Sequence, residues 1–143
     1  MYSRILLSVD LTDEASWQHA LPHALNLAQN SQAELHLVTV VPDTGADMVG
    51  HMFPPDFHEQ AMEQAGAEFK ALIAREIPAG IQITPHLEYG RVHDEILRVI
   101  EETGADLMVM GSHAPDRIRE FLVGSHADRV VRRSPVSVLV VRG

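Results

Sequence analysis

The sequence predicts an α/β protein: an open five-stranded parallel sheet with helices on both faces. Two observations predict it. Short, continuous apolar runs alternate with amphipathic stretches along the whole chain, as expected for strands buried on both faces and joined by crossover helices. The 143 residues also suit one domain spanning 1–143, long enough to bury about 68–70% of its unfolded surface.

Each element has its own signal. Residues 5–9, with Ile5, Leu6, Leu7 and Val9, form the first apolar run and predict strand one. Trp17, Ala20, Leu21, Ala24, Leu25 and Ala28 then recur at helical spacing, with Thr12 or Asp13 placed to cap the helix. Pro22 falls inside that pattern and predicts a kink, because it removes a backbone donor. Residues 35–41 are strand two. Phe57, Ala61, Ala65, Phe69, Leu72 and Ile73 mark a second amphipathic helix. Residues 81–87 are strand three, where Pro85 implies an edge or a bulge. Val92, Ile96, Val99 and Ile100 mark helix three, and Gly104 supplies its stop. Residues 107–110, 125–133 and 136–141 are strand four, helix four and strand five. The segment between, 42–55, is the longest irregular one; its Met48, Met52 and Phe53 predict a flap over the end of strand two and not a solvated linker.

Composition narrows the function. Hydrophobic residues make up 45% and charged residues 22%, globular values. The chain lacks cysteine, which excludes disulfides, thiolate metal sites and cysteine nucleophiles. A net charge of −9 opposes nucleic-acid binding, which draws its affinity from Lys and Arg contacts to phosphate. No apolar run approaches the roughly 20 residues a membrane span needs, and the first strand is too short for a signal-peptide core. A soluble, cytoplasmic protein is expected.

In open parallel sheets ligands bind beyond the carboxyl ends of the strands. Three such ends stand out: Val9-Asp10, Val40-Val41 and Met110-Gly111. After the last comes a loop that ends at Gly124-Ser125 and opens helix four. A strand, a loop and a fresh helix N-terminus make a phosphate-sized anion site, because unpaired helix N–H groups point outward. Asp10 suits a ribose hydroxyl or a metal on a phosphate, or equally a cap of the next helix. Gly111 suits close approach of a phosphate, or a simple turn. Ser125 and Asp128 have capping-box spacing. The Asp128 charge would oppose a nearby phosphate. His113 and His126 flank the loop, and Arg117 and Arg119 lie within it. His19 and His23, four apart on helix one, are the nearest approach to metal-ligand spacing and are taken as surface residues. There is no Gly-x-Ser-x-Gly elbow. No lysine follows the glycine pairs, Lys70 being the only one in the chain, so a P-loop mechanism is not expected.

With these residues in view, the chain resembles the universal stress proteins over nearly its whole length. The resemblance runs from Ile5-Leu6-Leu7-Ser8-Val9-Asp10 through Met110-Gly111-Ser112-His113 and Gly124-Ser125 to Ser137-Val138-Leu139-Val140-Val141. ATP-binding members carry Gly-x2-Gly-x9-Gly-Ser/Thr. Here Gly111, Ala114 and Gly124-Ser125 keep the spacing, with Ala114 in place of the middle glycine and Pro115 after it. A subgroup with Ser-His-x-Pro-Asp shares that change and is still associated with adenine nucleotides. Alanine disfavours positive φ, and proline holds the preceding residue extended, so this loop is stiffer.

The resemblance implies a Rossmann-like fold of the adenine nucleotide alpha hydrolase type. It implies ATP or another adenine nucleotide as ligand, with Mg2+. The adenine would lie against Val40 and near Val9, with Asp10 facing the ribose or the metal. Gly111, His113, Gly124, Ser125 and His126 would surround the phosphates, Ser137 and Val138 would border the crevice, and Ser8 and Met110 would belong to the same nucleotide-binding set. It also implies homodimers, or higher oligomers, through the last strand. Residues 136–141 give an independent reason, being apolar on both faces and edge-placed.

Three functions compete at this point. The favoured one is an adenine-nucleotide-binding module with a stress-response role and little or no hydrolysis. The second is a nucleotide-independent interaction dimer, motivated by Ala114-Pro115 and Asp128. The third is a slow ATP hydrolase or nucleotidyl transferase, with Asp10 on a metal and His113 moving a proton.

Overall fold

The computed structural model describes residues 1–43, 56–112 and 125–143. The described elements are β1 (Arg4–Ser8), a 3-10 turn (Glu14–Ser16), α1 (Ala20–Ser31), β2 (Glu34–Pro42), α2 (Phe57–Glu76), β3 (Ile83–Gly90), α3 (Val92–Thr103), β4 (Leu107–Ser112), α4 (Ser125–Arg133) and β5 (Ser137–Arg142). The five strands form one sheet in the order β3-β2-β1-β4-β5. Every pairing is parallel, as the continuous apolar runs predict.

The period-two alternation of each strand feeds two cores. Ile5, Leu7, Leu35, Leu37, Leu107 and Val109 meet Trp17, Leu21, Ala24, Phe69 and Leu72, placing α1 and α2 on one face. Leu6, Val38, Met108 and Met110 meet Ile96, Val99, Ile100, Ala127 and Val130, placing α3 and α4 on the other. Both faces of the central strands are covered, which is why they carry no polar alternation.

Several local expectations are corrected. The run around Trp17 is not one kinked helix. Asp13, not Thr12, caps a separate 3-10 turn by accepting from Ala15 N at 3.1 Å. The α-helix begins only at Ala20. Pro22 therefore sits in its first turn, where a backbone N–H has no intrahelical partner to lose, and the kink is not needed. β3 starts and ends later than expected, and its Pro85 lies on an edge strand. Gly104 caps α3 in the left-handed region at φ 70°, as predicted. Most of the 42–55 segment lies outside the described residues.

Candidate functional site

The chain leaves β1 for β2 and β3 on one side, then returns to place β4 and β5 on the other. The winding reverses between β1 and β4, and in such sheets the crevice opens beyond the carboxyl ends at that switch point. A cavity of about 460 Å³ lies there. Ser8, Val9 and Asp10 of the first strand end, Val40 of β2, Met110 and Gly111 of β4, and His126 of α4 all line it. Residues more than a hundred positions apart in the chain thus meet, as the sequence reading required.

The turn after β1 is built by its own polar side chains. Asp10 Oδ1 accepts from Thr12 N at 2.9 Å and from Thr12 Oγ1 at 2.7 Å. Ser16 Oγ accepts from Asp10 N at 2.9 Å. This Asx-type turn holds an exposed carboxylate at the crevice rim. The turn alternative for Asp10 is realised, and the residue also borders the cavity.

Gly111 is explained differently from either expectation. It continues β4, in register with Val141, and is not among the described glycines with positive φ. A Cβ there would come within 3.0 Å of the Ala15 carbonyl oxygen and collide with the carbonyl of Ser16. The glycine is required because the 3-10 turn crosses the end of β4. Its backbone still lines the crevice.

α4 presents its first turn to the cavity through His126 and Ala127. Asp128 is not left as a bare charge: both of its oxygens lie 3.1 Å from Arg132 Nε. That exposed pair adds little to stability, but it offsets the negative charge that would oppose an anion. Behind His126 sits His93 of α3, its ring centroid 6.4 Å away and only 6% exposed. Arg129 Nη1 lies 3.5 Å from His93 Nδ1, and Asp94 Oδ1 lies 3.5 Å from its Nε2. Burial pushes the His93 imidazole below its ordinary value, against the opposing pull of Asp94. The neutral tautomer that fits has Nε2–H facing Asp94 and a bare Nδ1 facing Arg129.

Not every predicted residue reaches the crevice. Ser137 and Val138 pair with Leu107 and Met108 at the start of β4, so they lie at the amino end of the sheet and do not line it. A parallel strand brings only its carboxyl end to the ligand side, and in β5 that end is Val141-Arg142. His113, Ala114, Pro115, Arg117, Arg119 and Gly124 lie outside the described residues. Conversely, α2 contributes a wall that the sequence reading missed: Ala61, Gln64, Ala65 and Glu68 line the cavity. The signal was present, since Ala61 and Ala65 are small residues one turn apart on an otherwise bulky apolar stripe. Thr39, 3% exposed, also lines the cavity from β2.

Comparison with known proteins bears on this geometry. The model of the Universal stress protein family matches residues 1–142. Universal stress protein G of Shigella flexneri is 34% identical over 145 residues, covering 99% of this chain and 100% of that protein. The structure of universal stress protein UspA from Lactobacillus plantarum superposes with a TM-score of 0.73 at 26% identity, covering 99% of this chain and 98% of that one. A universal stress protein in complex with cAMP superposes with a TM-score of 0.61 at 25% identity, covering 99% and 97%.

Proposed function

The chain belongs to the universal stress protein family, and on that premise we propose that it is an adenine-nucleotide-binding module with a regulatory role in the stress response. One observation carries the reading: the cavity of about 460 Å³ is lined by Val9, Val40 and the alanines of α2 together with Gly111 and the first turn of α4. Ligand pockets commonly measure about 300–1,000 Å³ and are mostly apolar with a few polar groups. The apolar lining suits a purine. The first turn of α4 suits phosphate, because N–H groups of a helix's first turn lack intrahelical partners and its dipole favours an anion. The cAMP complex of a family member supports an adenine ligand.

Ser8, Val9, Val40 and Met110 surround the base and sugar in this reading, and Gly111, Ser125 and His126, joined by Gly124 and His113 from outside the described residues, surround the phosphates. Asp10 faces the ribose or a divalent metal. Its exposed carboxylate suits Mg2+, which is usually held by one or two carboxylates plus phosphate oxygens and water. Among the described residues no group of three or more His, Asp or Glu could hold a metal without such help. The metal would neutralise phosphate charge. We assign no residue to hydrolysis.

β5 is an edge strand, and we propose that it pairs with the same strand of a second copy. No described helix is long and apolar enough to cross a membrane.

Titration calorimetry with ATP, ADP and cAMP, together with analysis of nucleotide released on denaturing the purified protein, tests the proposal. Binding tighter than about 1 mM, near −4 kcal/mol, is expected. No released nucleotide and no binding at that level would overturn it and favour an interaction protein. Multiple-turnover ATP consumption abolished by Asp10→Asn would point to an enzyme.

A further inference from the structure

His36 of β2 and His86 of β3 form a pair that the crevice does not use. His36 Nδ1 lies 2.9 Å from His86 Nε2. The rings run nearly parallel, 18° apart, with centroids at 5.2 Å. His36 is 9% exposed, and its Nε2 is the only buried side-chain polar atom without a hydrogen-bond partner among the described residues.

These facts fix where the protons sit. If His86 donated the bond, the neutral His36 ring would carry its proton on Nε2, as a buried N–H with no acceptor. A buried donor without a partner is heavily penalised. The favoured arrangement has His36 Nδ1–H donating to His86 Nε2, with the proton of His86 on its Nδ1. An additional proton then has no good site. On His36 it goes to the orphaned Nε2. Reversing the hydrogen bond, so that His36 Nδ1 accepts, also puts a proton on that orphaned Nε2.

The surrounding charges do not relieve this. On β2, Glu34 favours protonation, but Arg4 of β1 opposes it, and these two are ion-paired with each other. On β3, Glu88 is held by Arg98 of α3 at 2.7 Å. Arg98 is held in turn by Glu95 and Glu102. Val99 and Ile100 of α3 lie in the core on this face of the sheet.

The position of the pair gives it consequence. β3 is an edge strand whose one strand neighbour is β2. His86 is in register with Val38, which lines the crevice. We propose that His36 and His86 form an acid-operated latch, holding β3 against β2 at neutral pH and releasing that edge, with the crevice floor beside it, as the medium acidifies. Burial, and then His86, hold His36 below its ordinary value of 6.5. The sign follows: the opened state binds more protons than the closed one below that value, so closure is complete above it and is lost as pH falls. The latch does not depend on what the crevice binds.

Nitrogen-15 NMR of the histidine rings and residue-resolved hydrogen exchange, both on the wild-type chain between pH 7.5 and 5, test it. Expected at pH 7.5 are a proton on His36 Nδ1, a bare His36 Nε2 and a bare His86 Nε2. Below pH 6.5 the protection factors of the β3 amides should fall about tenfold per pH unit, the slope for one proton taken up on opening, while those of β1 and β4 hold. The variant His36→Leu with His86→Leu should flatten that dependence. Two rings that titrate independently with constant β3 protection, or a double variant that keeps the wild-type slope, would overturn the latch.

Discussion

The two ends of the sheet are built on opposite plans. At the amino end, polar groups close the structure onto itself. Asp106, just before β4, accepts from Ser3 N at 2.8 Å and Arg4 N at 3.0 Å, while its own N–H donates to Arg4 O at 2.9 Å. Glu34 N donates to Ser3 O at 2.9 Å. Left-handed caps at Gln32 and Gly104 stop α1 and α3 next to these crossings. At the carboxyl end, Asp10 spends one oxygen on its own turn and remains exposed, and the strand ends surround a cavity. One end uses its polar groups for stability. The other leaves them at the rim of the cavity, on the side where this fold class places binding.

Gly111→Ala should blur the distinction most. The added methyl meets the backbone of Ala15 and Ser16, and that turn also positions Asp10. A loss of about 2 kcal/mol in urea unfolding is expected, with weakened nucleotide binding in the surviving folded protein. Asp106→Ala should strike the closed end alone. It removes the acceptor of two backbone N–H groups and is expected to cost about 1.5 kcal/mol, with nucleotide affinity unchanged. Burial pushes the Asp106 carboxyl up, but the N–H groups of Arg4 and Ser3 outweigh it and hold it below 3.8. Its contribution is therefore complete above that value and lost as the pH falls below it, which acid unfolding of the wild type and the variant would resolve.

Gly104→Ala comes next, at about 1 kcal/mol, because alanine resists the φ of 70° at this cap; thermal melting reads it, again with binding unaffected. Asp10→Asn should have the smallest effect on stability, within about 0.5 kcal/mol, because the amide oxygen can still accept from Thr12. Yet it should weaken Mg2+-dependent ATP binding at least tenfold by calorimetry. If Asp10→Asn destabilised the fold as much as Asp106→Ala without touching affinity, the contrast between the ends would fail.

The elements were legible because burial on both faces leaves a strong local mark. The runs at 5–9 and 107–110, the helical spacing from Val92 to Ile100 and the stop at Gly104 each carry their signal within a few residues. The strand ends at Val9-Asp10 and Met110-Gly111, which line the cavity, were legible for the same reason. Other features were not. Pro22 implied a kink because a proline's effect depends on how far it lies from the helix start, and that start falls at Ala20, after a separate 3-10 turn. Ser137 and Val138 seemed to border the crevice until the register placed them beside Leu107 and Met108.

The sequence by itself determined the class of fold, the order of its elements and which strand ends line the cavity, because hydrophobic periodicity and helix stops are local properties of a chain. Only the tertiary structure decided that Gly111 is glycine for the sake of Ser16, that α2 walls the cavity with Ala61 and Ala65, and that His36 and His86, fifty residues apart, share one hydrogen bond. Each of those depends on a distance between segments remote in sequence. Such distances are set by the summed packing of two cores and not by any residue's neighbours along the chain.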